Sequence, residues 1–193
     1  MRDGVKLFTS IYTPKDISKT KKLPFLMQRT CYSVAPYGET EFPRSLGPNK
    51  YLMNDEYIFV YQDVRGRYMS EGTFTNMTPQ VERKSKKDVD ESTDTYDTID
   101  WLIKNIENNN KKVGQYGTSY PGFYTAAGIL ADHPSLVASS PQAPISDFWN
   151  DDFLHNGKFM MGYFRTFPVF GIQKTKAEKE DWYMDTFIKP TSE

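Results

Sequence analysis

The sequence predicts an α/β fold, a mostly parallel sheet with flanking helices, and three observations carry that prediction. Short apolar strands alternate with helical stretches of about 10–15 residues, the order of βαβ units. The clearest strand, Tyr57-Ile58-Phe59-Val60-Tyr61-Gln62, is aromatic and β-branched with no proline, which suits a strand covered on both faces. The strand ending at Gly117 turns directly into a helix across Thr118-Ser119-Tyr120-Pro121-Gly122. Sheets of this kind place active sites at the carboxyl ends of their strands.

Composition narrows the function classes. The 193 residues suffice for one domain with a hydrophobic core. Lys and Arg number 24 against 25 Asp and Glu, a net charge of −1. That balance argues against a nucleic-acid partner, which calls for a basic excess or stripe. The chain is 38% hydrophobic and 25% charged, a globular rather than disordered composition. No apolar run reaches about 18 residues, so no membrane-spanning helix is expected. Cys31 is the only cysteine, which excludes a disulfide scaffold and a multi-cysteine zinc site and leaves the redox compartment open. Aromatic residues make up 15%, material for core packing or for a pocket.

Along the chain, Val5 to Tyr12 reads as a strand ended by Pro14, and Lys15 to Lys22 as a solvated loop. Pro24 to Arg29 reads as a short buried strand entered through proline. A loop rich in Tyr, Pro and Gly runs from Cys31 to Pro48 and precedes the Tyr57–Gln62 strand. Val64 to Val89 shows no periodicity, and a loop beyond about 12–15 residues is usually functional or disordered. Ser92-Thr93-Asp94 supplies helix-start residues, and Ile99, Leu102, Ile103 and Ile106 fall on one helical face. Asn108-Asn109-Asn110 ends that helix, and Lys112 to Gly117 reads as the next strand. Phe123, Ala126, Ala127 and Leu130 repeat the helical spacing, Asp132-His133-Pro134 closes the helix, and Leu136 to Ser140 reads as a further strand.

The turn at Ser119 is the motif with chemical content. A serine on a sharp strand-to-helix turn projects its hydroxyl above the sheet, and small residues must flank it because the backbones approach closely. Gly117 and Gly122 meet that need, and Pro121 fits the first helical turn. The helix would aim its N-terminal amides and dipole at an oxyanion. The spacing differs from G-x-S-x-G, because the second glycine stands one position later. Taken alone, the segment also reads as an ordinary turn in which Ser119 caps the helix.

G-T-S-Y-P-G-F-Y-T resembles the nucleophile segment of one α/β-hydrolase group. That group comprises cocaine esterase, the α-amino acid ester hydrolases, glutaryl-cephalosporin acylase and the Xaa-Pro dipeptidyl-peptidases. The resemblance continues in Met1–Leu7, in Q-D-V-R-G-R-Y-M-S-E-G at Gln62–Gly72, in Asp94–Leu102, and in S-P-Q-A-P-I-S-D-F-W at Ser140–Trp149. It implies an α/β-hydrolase fold over residues 1–147 and the beginning of a helical cap domain over 148–193. It implies Ser119 as the acyl-forming nucleophile and the Tyr120 backbone N–H as one oxyanion donor. The Arg29-Thr30-Cys31-Tyr32 segment resembles the group's R-T/N-P-Y, which makes Tyr32 the second donor through its hydroxyl. Cys31 stands in place of the group's proline, so a fixed φ is lost there.

Asp151-Asp152 admits two readings. In the α-amino acid ester hydrolases a carboxylate at the place of Asp152 helps bind the substrate's α-ammonium group. Loop solvation or a helix cap is the alternative. Neither His133 nor His155 suits the base role, because the triad runs Ser, acid, His along the chain and His133 follows Ser119 at the end of the next helix.

The expectation is therefore a serine acyl hydrolase that opens an ester or amide through an acyl-enzyme on Ser119, of α-amino acid ester hydrolase or glutaryl-acylase type. Xaa-Pro dipeptidyl-peptidase and cocaine-esterase-like activity are the alternatives within the class. The substrate partner is a small-molecule acyl ester or amide; no nucleic acid, membrane, metal or organic cofactor is implied. Oligomeric state and compartment stay open. Both ends read as cut, so the triad acid and histidine are expected outside residues 1–193, and this stretch alone is expected to be inactive. A degenerate hydrolase fold kept as a binding module is the rival class.

Overall fold

The structure, a computed structural model, describes residues 1–15, 20–82, 85–147, 150 and 153–162. Its main sheet contains β1 (Thr9–Tyr12), β2 (Leu23–Thr30), β3 (Ile58–Asp63), β4 (Asn109–Thr118) and β5 (Leu136–Gln142). The strand order is β1-β3-β2-β4-β5. β3 pairs β2, β2 pairs β4, and β4 pairs β5, all parallel; β1 alone runs antiparallel, against β3. The mostly parallel sheet expected from the sequence is thus the observed one.

β1 is shorter than the stretch read from Val5. Residues ahead of it bond to the loop after β3 instead, with the Lys6 amide donating to Glu71 Oε2 at 2.9 Å and the Phe8 amide to Ser70 Oγ at 2.8 Å.

Two helices cover one face of the sheet. α2 (Glu91–Asn105) packs Ile99 and Leu102, both fully buried, on Phe25, Met27, Ile58, Val60 and Val113. The helix starts earlier than Ser92-Thr93-Asp94 suggests. Asp90 is the N-cap and accepts from the Thr93 amide at 2.8 Å, while Thr93 Oγ1 accepts from the Asp90 amide at 2.8 Å. This reciprocal box satisfies two backbone donors with short side chains. At the other end Asn109 Nδ2 donates to the Ile106 carbonyl at 2.6 Å, so one asparagine closes α2 and opens β4.

α3 (Tyr120–Ile129) departs from the predicted face. Its buried residues are Tyr120, Pro121, Gly122, Tyr124, Thr125 and Gly128, whereas Leu130 just beyond it is 50% exposed. The reason lies beneath the helix. Gln115 of β4 donates from Nε2 to the Thr125 carbonyl at 3.0 Å, and a Cβ on Gly128 would stand 2.6 Å from Gln115 Oε1. The helix meets the sheet through small and tyrosyl residues. Phe123, Ala126, Ala127 and Leu130 instead line a cavity of about 300 Å³ together with Pro144 and Ile145.

The opposite face holds Leu26, Phe59 and Tyr116, with Tyr12, Leu46, Leu52 and Tyr61 packed against them. The short α1 (Lys50–Asn54), between the expected loop that ends at Pro48 and the expected strand from Tyr57, contributes Leu52 there; Asn49 caps it by accepting from the Tyr51 and Leu52 amides. The described residues between Val64 and Val89 carry no helix or strand, as expected from the lack of periodicity there. Beyond β5, β6 (Leu154–His155) and β7 (Lys158–Phe159) form a hairpin turned by Asn156 and Gly157, both at positive φ. Of the stretch expected to begin a helical cap, 148–193, the structure describes residues 150 and 153–162, which include this hairpin; the remainder lies outside the described residues.

Candidate active site

Ser119 stands between the end of β4 and the first residue of α3, with φ 64° and ψ −125°. A positive φ is costly for a residue with a Cβ, and such strain is kept where the surrounding structure fixes it. Here the Ser119 amide donates to the Gln142 carbonyl of β5 at 3.0 Å, and its carbonyl accepts from the Phe123 amide at 3.1 Å. Two glycines make the turn sterically possible. A Cβ on Gly117 would stand 2.2 Å from the Pro121 carbonyl oxygen, and one on Gly122 would stand 2.6 Å from the Gln142 carbonyl oxygen. Both clashes are with backbone, which has no room to yield. The Ser119 side chain makes no capping hydrogen bond to the helix, so the capping reading does not account for it.

Tyr120 is fully buried, and its amide lies at the positive end of the helix dipole. Its hydroxyl donates to Asn76 Oδ1 at 2.9 Å and accepts from the Met77 amide at 2.8 Å, tying the long loop after β3 to the turn. Burial pushes that phenol well above its ordinary pKa, so it stays neutral. Tyr32, in the loop after β2, is half-buried and packs edge-on against the Tyr120 ring, centroids 6.4 Å apart at 83°. The fold thus brings the rings of the two tyrosines singled out by the sequence into contact. Tyr32, Thr118, Pro121 and Gln142 line one end of a cavity of about 590 Å³, which continues along the sheet face opposite α2 and α3 past Tyr12, Tyr61 and Tyr116.

Cys31 is fully buried, and its thiol is pushed up to about 12 by loss of solvation. It is a packing residue, since thiolate character is what makes a cysteine reactive. His133 follows the far end of α3, a helix about 15 Å long at 1.5 Å per residue. Its Nδ1 accepts from the Ser135 amide at 3.0 Å and its ring packs on Tyr96, while burial lowers its pKa. His155 is an exposed residue of the β6–β7 hairpin. Asp152 lies outside the described residues. Among the described residues no group of three or more His, Cys, Asp or Glu is arranged to hold a metal ion, and no helix is long and apolar enough to cross a membrane.

Behind the site lies a buried ionic cluster to which sequence pattern alone assigns no role. Arg29 at the end of β2 is 3% exposed, and its Nη1 donates to the Glu91 carbonyl at 2.9 Å and to Thr95 Oγ1 at 3.0 Å. The Glu91 carboxylate lies 3.1 Å from the same nitrogen, and Arg65 bonds Asp94 at 2.7 Å. The one signal for this cluster was the run of Ser, Thr, Asp and Glu opening α2, which reads equally well as a solvated helix start.

A parallel sheet with its antiparallel member at the edge, carrying a left-handed serine turn at the carboxyl end of β4, is the architecture of an α/β-hydrolase. Residues 3–186 match the family described as X-Pro dipeptidyl-peptidase (S15 family). The chain belongs to that family. It is 29% identical over 152 residues to cocaine esterase of Rhodococcus sp. (strain MB1 Bresler), covering 77% of this chain and 23% of that protein. Among solved structures, an aminopeptidase from the marine sediment archaeon Thaumarchaeota archaeon superposes with TM-score 0.77 at 34% identity, over 93% of this chain and 30% of that one. An α-amino acid ester hydrolase superposes with TM-score 0.74 at 39% identity, over 86% of this chain and 28% of that one. The chain thus spans about a quarter of the length of the curated relatives it matches.

Proposed function

We propose that the whole protein is a serine acyl hydrolase in which Ser119 attacks the carbonyl of an ester or amide. The observation that carries this reading is Ser119 itself, held at φ 64° with its hydroxyl uncommitted to the helix and flanked by two glycines that no larger residue could replace. Attack by Oγ forms a tetrahedral oxyanion while the Ser119 proton passes to a base. Collapse expels the alcohol or amine, which takes that proton, and water then releases the acyl group. The Tyr120 amide and the Tyr32 hydroxyl receive the oxyanion.

The position of His133 beyond α3 and the exposure of His155 argue against either as the base. The base and its orienting acid are assigned to a part of the whole protein outside residues 1–193, which by themselves are expected to turn over no ester. A serine-reactive phosphonate is expected to label the peptide containing Ser119, and labelling elsewhere or nowhere would overturn the assignment.

Tyr32→Phe is expected to lower kcat by about 10²–10³-fold with little change in KM, because an oxyanion donor acts only in the transition state. Steady-state kinetics on a chromogenic ester reads this directly.

The substrate is proposed to carry a free α-amine. Support comes from two relatives, one an aminopeptidase and one an α-amino acid ester hydrolase, which are 34% and 39% identical to this chain. We assign the ammonium contact to Asp152, within the proposed cap region 148–193, as carboxylates attract a cation most strongly in a partly desolvated cleft. Asp152→Asn is expected to raise KM about tenfold or more for an α-amino ester and to leave the corresponding ester without the amine unaffected. Equal effects on both substrates would remove Asp152 from the site.

A further inference from the structure

The segment Gln62–Gly72 resembles the family pattern, yet the reaction outlined above gives it no task. The structure places it directly under the loop that carries Tyr32. Asp63, the last residue of β3, is fully buried. Its Oδ1 accepts from the Val34 amide at 2.9 Å, and its Oδ2 accepts from the Tyr37 hydroxyl at 2.7 Å and from the Met69 amide at 3.4 Å. Arg67 is also fully buried and donates from Nε to the Cys31 carbonyl at 3.1 Å. The Tyr32 amide itself donates to Thr30 Oγ1 at 2.9 Å. The backbone is therefore fixed on both sides of Tyr32, at the carbonyl before it and at an amide two residues after it.

The two holding residues are themselves held. The Arg67 amide donates to the Val64 carbonyl at 3.1 Å and the Ser70 amide to the Arg67 carbonyl at 2.9 Å. The Arg67 guanidinium lies over the Tyr68 and Phe74 rings, 5.1 and 4.9 Å from their centroids. Ser70 Oγ donates to the Asp63 carbonyl at 2.6 Å.

We propose that Asp63 and Arg67 are positioning residues that set the Tyr32 hydroxyl at the oxyanion hole, a role resting on the reading of Tyr32 as an oxyanion donor. Oxyanion donors act within about 2.7–3.1 Å of the developing charge, and a misplacement of about 1 Å can cost about 10²-fold. Cys31 leaves φ unrestrained where a proline would fix it. The clamp restrains the loop there with two buried side chains, Asp63 at the end of β3 and Arg67 in the loop that follows it. A purely structural role would lower stability and leave the rate per folded molecule unchanged.

The test is a double-mutant cycle in the whole protein, with kcat and KM measured on a chromogenic ester. Arg67→Lys loses the Nε donor and is expected to lower kcat by about tenfold or more, with KM within about twofold. In a Tyr32→Phe background the same substitution is expected to cost less than about twofold, because the hydroxyl it positions is gone. Losses that multiply across the two backgrounds, or a change confined to KM, overturn the proposal. If Arg67→Lys fails to fold, Tyr37→Phe decides by the same cycle: a kcat loss of about threefold or more that disappears beside Tyr32→Phe supports the clamp, and an unchanged kcat overturns it. A Tyr32→Phe enzyme with undiminished kcat overturns the oxyanion reading and the clamp with it. A Tyr32→Phe enzyme that is impaired, in cycles whose losses multiply, overturns the clamp alone.

Discussion

Ser119→Ala in the whole protein is expected to lower kcat/KM for an ester by about 10⁴–10⁶-fold, leaving the residual rate supplied by binding and the oxyanion donors. The loss should come without unfolding. The Ser119 side chain makes no cap bond, so its removal costs the fold little, and the unfolding free energy from urea titration should differ from the parent's by no more than about 0.5 kcal/mol. Ser119→Gly sharpens the comparison. Glycine adopts φ 64° at no steric cost, so it should be more stable than the alanine variant by about 1 kcal/mol while equally inactive. Greater stability together with loss of activity would be the signature of strain kept for function. An alanine variant retaining more than about a tenth of the parent's kcat/KM would show that the hydroxyl is not the nucleophile.

Arg29→Met is expected to destabilise the whole protein by about 3–5 kcal/mol at neutral pH, because it leaves the buried Glu91 carboxylate uncompensated. Asp94 keeps Arg65 at 2.7 Å, so Glu91 bears the loss. Burial raises the Glu91 pKa above its ordinary value, while the charge of Arg29 opposes that rise. A carboxyl whose folded pKa is raised holds its proton more tightly when folded. Its contribution to stability is full below the unfolded pKa and falls as pH rises toward the folded value. Removing Arg29 raises the folded value further and extends that loss upward in pH. The penalty of Arg29→Met should therefore shrink as the solution is acidified from pH 7 toward the ordinary carboxyl range. Urea unfolding of both proteins across that range checks it. A penalty independent of pH would show that lost packing, not the uncompensated carboxylate, is responsible.

The sheet was legible because its signals are local and apolar. Tyr57–Gln62 announces a buried strand by composition, and Ile99, Leu102, Ile103 and Ile106 announce a helical face by period. The observed core uses Ile99 and Leu102 at its centre and Ile103 and Ile106 at its margin. The turn at Ser119 was legible because glycines at 117 and 122 are a steric necessity that leaves a mark in the sequence.

The face of α3 was misread for the converse reason. Tyr120, Tyr124, Thr125 and Gly128 are buried against Gln115 and the loop after β3, and none of them weighs as strongly apolar in a periodic pattern. α1 escaped notice because five residues with no buried member leave no amphipathic signal.

By itself, the sequence determined the fold class, the succession of strands and helices along the chain, and the serine turn with its two glycines, all of which are read from neighbouring residues. Only the tertiary structure decided which side chains meet across the sheet. Tyr32 lies against Tyr120, Asp63 and Arg67 lie beneath the Tyr32 loop, and Arg29 enters the first turn of α2. The physical reason is that hydrogen bonds and ion pairs between residues distant in the chain carry no periodicity. Buried charge also reads in one dimension like solvated charge, until the fold encloses it.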